Sequence, residues 1–139
     1  MILLDTNVIS ALMQRHPEPV VVRWLDSLPA ESVWITSITV FEVRFGLEIL
    51  ESGRRRRQLE EAFVKALEED LDGRVSPFDQ AAAQAAGKIA AVQRRAGRAI
   101  EIRDVQIAGI TAARKAMLAT RNVKHFEGLG LSLVDPWSA

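Results

Sequence analysis

The sequence predicts an α/β protein, a three-layer α/β/α sandwich around a central parallel sheet. Short apolar segments rich in β-branched residues alternate with segments of helical periodicity, as in parallel βαβ units. The first apolar segment, Ile2 to Leu4, contains no polar residue, which is typical of a strand buried on both faces of a sheet. A length of 139 residues is that of one domain, so residues 1–139 are expected to form a single unit.

The strands and helices follow from these patterns in chain order. The segments predicted as strands are residues 2–4, 33–35, 75–78, 117–119 and 131–134. Helical spacing of apolar residues predicts helices at 8–13, 19–28, 54–72, 79–96 and 104–115, one from a cap at Ser37 or Thr39 to Gly53, and a turn or short helix at 122–126. We expect the first strand to be central, so that Asp5 follows it at the edge where open α/β sheets bind ligands.

The composition excludes several classes of protein and of site. With no cysteine and two histidines, the chain has no disulfide, no thiolate zinc site and no cysteine nucleophile. No apolar segment is long enough for a signal peptide or a membrane span, so a cytoplasmic protein with no membrane partner is expected. The formal net charge is zero, but residues 87–139 carry nine basic and four acidic side chains, which predicts a local basic surface.

Three acidic residues, Asp5, Glu42 and Asp104, each lie near the start of a predicted helix that follows or packs near an apolar segment. Taken singly, Asp5 and Asp104 suit helix N-caps, and Glu42 suits a solvated helix face. Taken together, they are expected to converge on one end of the sheet. Neighbouring carboxylates repel each other unless a cation neutralises them, and hard oxygen ligands suit Mg²⁺ or Mn²⁺. The three acids therefore predict a site for a divalent metal.

Four parts of the chain carry a family resemblance. They are Leu3-Leu4-Asp5-Thr6-Asn7-Val8, the segment from Ser37 to Gly46, the segment from Arg103 to Ile110, and Ala119-Thr120-Arg121-Asn122 together with Asp135-Pro136-Trp137. In this order and at these intervals, spanning the whole chain, they resemble the PIN-domain ribonuclease toxins of the VapC/FitB branch.

The resemblance implies a PIN-like α/β/α fold and a Mg²⁺- or Mn²⁺-dependent endoribonuclease whose products carry a 3′-hydroxyl and a 5′-phosphate. It implies that the chain is the toxin of a type II toxin-antitoxin pair and that a VapB-like antitoxin inhibits it. A homodimer is expected because a small chain with 48% hydrophobic residues and many helices leaves an apolar helical face uncovered, and because the resembled family pairs in this way. We expect the second and fourth helices to form the contact face.

The resemblance also implies roles for individual residues. Asp5, Glu42 and Asp104 match the metal-binding acids of the family. Thr6 and Asn7 match a pair that supports the first acid, and Thr120 matches a hydroxyl near the site.

The chain departs from the family where a fourth acid is often found, because Asn122 and His125 occupy those two positions. Three carboxylates still suffice for one ion completed by waters, whereas a tightly held second ion is not expected. Asn122 offers a neutral oxygen and is included among the expected catalytic residues. His125 is expected to be a partly exposed polar residue and not a ligand.

Basic residues cluster in sequence near Asp104 and Asn122, and they are the candidates for holding RNA phosphates. They are Arg94, Arg95, Arg98, Arg103, Arg121 and Lys124. No aromatic run accompanies them, so base-specific readout is not predicted. Arg54 to Arg57, at the start of a helix where cations oppose the macrodipole, are interpreted as a solvated charge cluster.

Two other functions compete with a ribonuclease. Asp5 at the end of the first strand suits a phosphatase nucleophile, but phosphatases of that kind place a second acid two residues on, where this chain has Asn7. A protein that kept the fold and the antitoxin interface but lost cleavage together with the fourth acid is the non-enzymatic alternative. Metal-dependent RNA cleavage by pure protein discriminates among the three.

Overall fold

A parallel sheet of five strands forms the centre of the computed structural model, which describes all 139 residues. The strands are β1 (Ile2–Leu4), β2 (Val33–Thr36), β3 (Val75–Ser76), β4 (Met117–Ala119) and β5 (Ser132–Val134). Their order across the sheet is β3-β2-β1-β4-β5, and every neighbouring pair is parallel. The first strand is central, as predicted, and the strand order reverses on its two sides.

Seven α-helices connect the strands. They are α1 (Thr6–Leu12), α2 (Pro19–Asp26), α3 (Ser37–Ile49), α4 (Arg54–Lys65), α5 (Gln80–Arg95), α6 (Ile102–Arg114) and α7 (Val123–Phe126). A 3₁₀ turn at Ala30–Ser32 precedes β2, and one π-helical turn at Ala66–Asp70 extends α4. No helix is both long enough and apolar enough to cross a membrane.

The helices cover the sheet in two layers, because adjacent strand residues point to opposite faces. Leu4 and Ile35 pack into a core with α1, α2, α3 and α4. Leu3 and Leu118 pack into a second core with α5, α6 and α7. The predicted three-layer α/β/α sandwich is therefore confirmed.

Several helix ends differ from the predictions. Asp79 caps α5 as predicted, its carboxylate accepting from the Ala82 N–H, but Thr36 and not Ser37 or Thr39 caps α3. The prediction that Asp104 opens its helix is wrong, because α6 begins at Ile102 and the carboxylate of Glu101 accepts from the Arg103 and Asp104 N–H groups. Asp104 thus lies in the first turn, and its side chain is not used as a cap.

The contact between α5 and α6 depends on a glycine. A Cβ at Gly109 would lie 2.5 Å from the Ala82 carbonyl oxygen and 2.6 Å from the Ala86 Cβ, whereas a Cβ at Gly87 would meet nothing within 4 Å. We expect Gly109→Ala to destabilise the fold by about 1–3 kcal/mol, since the helices must move apart. Gly87→Ala, in the exposed face of α5, should stabilise it by about 0.5–1 kcal/mol. Denaturant unfolding of both variants checks this contrast, and equal stability of the two would contradict it.

The largest exposed apolar side chains do not lie where a dimer contact was predicted. Phe41, Phe45 and Ile49 follow one another along α3 and are 50%, 54% and 68% exposed. The rings of Phe41 and Phe45 are stacked, with centroids 6.1 Å apart. The longest row of exposed apolar side chains is therefore on α3, whereas α4 exposes Val64 alone among its large apolar residues.

Candidate active site

The predicted acids lie near the carboxyl ends of β1 and β2. Asp5 directly follows β1, and its N–H donates to the Ala119 carbonyl at 2.9 Å, which continues the β1–β4 pairing to the last residue of β4. Glu42 lies on α3, which begins directly after β2. Asp104 lies in the first turn of α6. The parallel sheet thus brings to one edge three residues that are far apart in the chain.

Asp5 is buried, with only 6% of its surface exposed, and it is surrounded by neutral donors. Its carboxylate accepts from the Thr6 N–H and the Thr120 hydroxyl, both at 2.8 Å, and from the Asn7 side-chain amide at 3.3 Å. The expectation that Asp5 caps α1 is correct, but the cap does not account for the other two donors. Burial raises the pKa of Asp5 despite hydrogen bonds from Thr120 and Thr6, and the charge of Asp104 raises it further.

Asn7 and Thr120 fix the loop after β4 to the turn after β1. The Asn7 amide donates to the Thr120 hydroxyl at 3.3 Å, and its carbonyl accepts from the Arg121 N–H at 3.1 Å. Thr120, which is fully buried, also accepts from the Asn122 N–H at 3.0 Å. These bonds hold Asp5 in one orientation, which is the supporting role that the sequence predicts for Asn7 and Thr120.

Glu42 is positioned by Thr6. The Thr6 hydroxyl donates to the Glu42 carboxylate at 2.8 Å and lies 3.1 Å from the Thr39 hydroxyl. Arg103 approaches the same carboxylate from α6, with 3.6 Å between Nη1 and Oε2. Thr39 is fully buried and was not predicted as part of the site. Its N–H donates to the hydroxyl of Thr36, the residue that caps α3, and this bond fixes Thr39 at the start of the helix.

Asp104 faces His125, with 3.5 Å between Oδ2 and Nδ1. Burial raises the pKa of Asp104, the nearby His125 opposes the rise, and the charges of Glu101 and Glu42 add to it. His125 has 58% of its side chain exposed, in agreement with the prediction of a partly exposed polar residue.

Asn122, at the position of the missing fourth acid, is exposed at the start of α7. Its N–H bonds to Thr120, but its side chain makes no hydrogen bond to Asp5, Glu42 or Asp104. The structure therefore links Asn122 to Asp5 only through its backbone N–H and the hydroxyl of Thr120.

The donor set fits a divalent cation in charge and in chemistry. Burial raises the pKa values of Asp5 and Asp104. The charge of Asp104 raises that of Asp5 further, and the charges of Glu101 and Glu42 raise that of Asp104, so a cation at this edge would relieve an unfavourable concentration of negative charge. As the side chains lie, no three acids or histidines are close enough together to hold an ion jointly. Glu42 is instead paired with Arg103, and Asp104 with His125.

The basic residues fall into two groups. Arg94, Arg95 and Arg98 are exposed at the end of α5 and in the loop after it, and none forms an ion pair. Arg103 is paired with Glu42 and with Glu101, and the guanidinium of Arg121 stacks on Trp137 at 4.7 Å from the ring. Arg94, Arg95, Arg98 and the exposed Lys124 are therefore free of ion pairs and available to an incoming phosphate.

Comparison with known proteins identifies the family. The PIN domain model matches residues 2–129, which is most of the chain. This chain belongs to the PIN-domain family. It is 39% identical to the plasmid stability protein StbB of Pseudomonas syringae pv. tomato over the full length of both chains. It is 37% identical to the VapC ribonuclease Y4jK of Sinorhizobium fredii, covering 99% of this chain and 98% of the relative.

A solved structure of the VapC/FitB group superposes closely on this PIN domain. The crystal structure of FitAcB from Neisseria gonorrhoeae matches with a TM-score of 0.89 and 34% identity, and the match covers 100% of each chain. The predicted resemblance to the VapC/FitB branch is therefore confirmed at the level of family and fold.

Proposed function

We propose that this PIN domain is a Mg²⁺- or Mn²⁺-dependent endoribonuclease that acts as the toxin of a type II toxin-antitoxin pair. The observation that carries the proposal is the convergence of Asp5, Glu42 and Asp104 on the carboxyl ends of the central strands. Burial and neighbouring acids raise the pKa values of Asp5 and Asp104, which supports a cation beside them. The 37% identity to a VapC ribonuclease supports RNA as the substrate.

In this proposal Asp5, Glu42 and Asp104 hold the ion, and the neighbouring residues hold the acids. Thr120, Asn7 and the Thr6 N–H fix Asp5, while the Thr6 hydroxyl fixes Glu42. A bound cation would take the place of Arg103 beside Glu42 and of His125 beside Asp104.

When bound, the divalent ion supplies a water of lowered pKa and stabilises the charge that develops on the phosphate. The reaction is hydrolysis. A water oxygen bonds to phosphorus, the bond from phosphorus to the 3′-oxygen breaks, and that oxygen takes a proton, which leaves a 3′-hydroxyl and a 5′-phosphate. Asn122 contributes a neutral oxygen at the rim of the site.

The partners follow from the same proposal. FitB of Neisseria gonorrhoeae is named a toxin, and it is 35% identical to this chain over 137 residues. We infer a VapB-like antitoxin that silences this chain, with the pair acting in the cytoplasm, where RNA is made. A single domain over residues 1–139 is sufficient for both roles.

Expression in a bacterial host tests the toxin role, and purified protein tests the chemistry. Growth should stop when the chain is expressed alone and resume when the open reading frame immediately upstream is co-expressed. Purified protein should cleave RNA with Mg²⁺ or Mn²⁺ and not with EDTA. Growth arrest without any RNA cleavage would favour the non-enzymatic binding module, and release of phosphate from phosphomonoesters without RNA cleavage would favour the phosphatase.

The unpaired arginines at the end of α5 and in the loop after it are expected to bind the RNA backbone. Replacing Arg94, Arg95 and Arg98 with alanine should weaken RNA binding several-fold and lower the salt slope by up to about two, since each phosphate contact to a single strand contributes about 0.7. The control replaces Arg54, Arg55 and Arg57 with alanine and leaves Arg56, which pairs with Glu48 and Glu60. Equal salt slopes in the two triple variants, measured by fluorescence anisotropy, would place the RNA on another surface.

We expect the chain to form a homodimer through α3. Phe41, Phe45 and Ile49 form a contiguous apolar face, and its exposure to water is energetically unfavourable. Light scattering of the pure chain at tens of micromolar should give twice the mass of the monomer, and Phe45→Ser with Ile49→Ser should give the monomer. A monomeric wild-type chain, or a dimeric double variant, would contradict this surface.

A further inference from the structure

A cleft of about 400 Å³ opens beside Asp104, between the loop that joins α5 to α6 and the helix α7. Asp104 belongs both to this cleft and to the acidic site, so a molecule in the cleft would adjoin the reacting phosphate. The cleft is lined by Gln93, Arg98, Ile100, Asp104, Lys124 and Leu129, among others.

Gln93 is the unusual member of this lining. It lies near the end of α5 and is 94% buried, since only 6% of its surface is exposed. Its side-chain amide makes no hydrogen bond to any other protein group, although a buried amide without a partner is costly. Trp137 Nε1 is the only side-chain polar atom that is both inaccessible to solvent and without a hydrogen-bond partner. The unpartnered amide of Gln93 is therefore still accessible, and Gln93 lines the cleft. Because Gln93 lines the cleft, its amide offers a donor and an acceptor there that no protein group uses.

The chemistry of the walls selects the class of ligand. Ile100 and Leu129 are apolar, which suits a flat organic group better than a hydrated ion. Glu101 and Glu127 also line the cleft, so a bare anion would meet two carboxylates besides Asp104. Arg98 extends to within 3.6 Å of the Cβ position of Gly128, on the far side of α7, and its planar guanidinium offers a surface for stacking. A planar, largely neutral group with hydrogen-bonding edges fits these walls.

We propose that this cleft binds a nucleobase of the RNA and that Gln93 reads the edge of that base. An amide matches the donor and acceptor pattern of a base edge with two hydrogen bonds, which is the arrangement glutamine uses toward adenine in nucleic-acid complexes. Arg98 stacks on the base, and Lys124 holds the phosphate that flanks it. The subsite rests on the proposed ribonuclease function, and it gives that function a preference for the base next to the cleaved bond.

Binding of the four ribonucleoside 5′-monophosphates, followed by NMR of ¹⁵N-labelled protein in EDTA, tests the subsite without cleavage. The side-chain amide signal of Gln93, assigned from its loss in Gln93→Met, should shift with one nucleotide more than with the other three. Ribose 5-phosphate and inorganic phosphate should leave it unmoved. A shift of equal size with these two anions, or no shift with any nucleotide, would overturn the proposal.

Cleavage of a pool of RNA with random sequence supplies the second readout. Wild-type protein should cut with a preference for one base beside the cleaved bond, and Gln93→Met should reduce that preference about tenfold or more. Gln84→Met is the matched control, because Gln84 is an exposed glutamine on the same helix and lies outside the cleft.

The two readouts separate this proposal from the proposed function. RNA cleavage with the same base preference in Gln93→Met and in wild type would overturn the subsite and leave the ribonuclease intact. Absence of RNA cleavage together with a nucleotide-specific shift at Gln93 would overturn the ribonuclease and leave a nucleobase site.

Discussion

Asp5→Asn protein is expected to lose at least about 100-fold in the rate of RNA cleavage and to unfold at the same temperature as wild type, or at a higher one. The loss follows because the substitution removes the most buried carboxylate of the proposed metal site. The fold should survive because asparagine keeps the shape of the side chain and an oxygen that caps α1. Asp104→Asn should lose cleavage to a similar extent.

The stability of these variants depends on pH in a defined direction. Burial raises the pKa of Asp5 in the folded protein, so folding favours the protonated carboxyl. That contribution is present below the pKa of the unfolded chain and is lost as the pH rises through the folded pKa. Metal-free Asp5→Asn should therefore be more stable than wild type at neutral pH, and the difference should shrink as the pH falls toward the ordinary range of an aspartate.

Thermal unfolding with and without Mg²⁺ distinguishes a metal ligand from a merely structural acid. Mg²⁺ should raise the melting temperature of wild type and leave that of Asp5→Asn unchanged, since an ion that binds only the folded protein stabilises it. Asp70→Asn is the control, because it removes the same charge from an exposed position outside the acidic site. Wild-type cleavage by Asp5→Asn, or an equal response of its melting temperature to Mg²⁺, would contradict the assignment of Asp5.

The order of elements and the position of β1 were predictable, because apolar segments and helical periodicity are local properties of the sequence. The exact helix ends were less so. Glu101 and Asp104 are both suitable caps for α6, and only the folded loop shows that Glu101 takes the N–H groups. The helix predicted over residues 54–72 gives way after Lys65 to a π-helical turn, and no residue in that stretch signals the change.

The placement of the three acids near strand ends, and of Asn7 and Thr120 beside Asp5, was also predictable from strand ends and family-like spacing. The ion pair between Arg103 and Glu42 was not predictable, because it joins α6 to α3 and depends on how these helices pack on the sheet. Gln93 was missed for a similar reason. Nothing in the alanine-rich sequence of α5 distinguishes it from Gln84, and only burial beside an open cleft sets it apart.

The missing fourth carboxylate should make the ion bind weakly, so that cleavage rises through the millimolar range of Mg²⁺ and Mn²⁺ is more effective than Mg²⁺. Three carboxylates leave a modest attraction for a divalent ion, and Arg103 and His125 compete for two of them. Mn²⁺ tolerates nitrogen ligands and irregular geometry better than Mg²⁺, which suits a site that includes a histidine at its edge.

Asn122→Asp is the change that tests this account, because it adds a carboxylate at the position where relatives often have one. Asn122 is exposed and its side chain is unbonded, so the substitution disturbs no contact, and its N–H still donates to Thr120. The added charge should lower the Mg²⁺ concentration for half-maximal cleavage about tenfold, a change of about 1.4 kcal/mol, which is within reach of one extra charge near the ion.

In EDTA the Asn122→Asp variant should melt at a lower temperature than wild type, because a fourth carboxylate increases the repulsion among the acids. Mg²⁺ should reverse that order. Asn122→Ala, which adds no charge, is the control and should leave the metal titration close to that of wild type. If Asn122→Asp leaves both the titration and the melting temperature in EDTA unchanged, position 122 lies outside the field of the ion, and the site consists of three acids only.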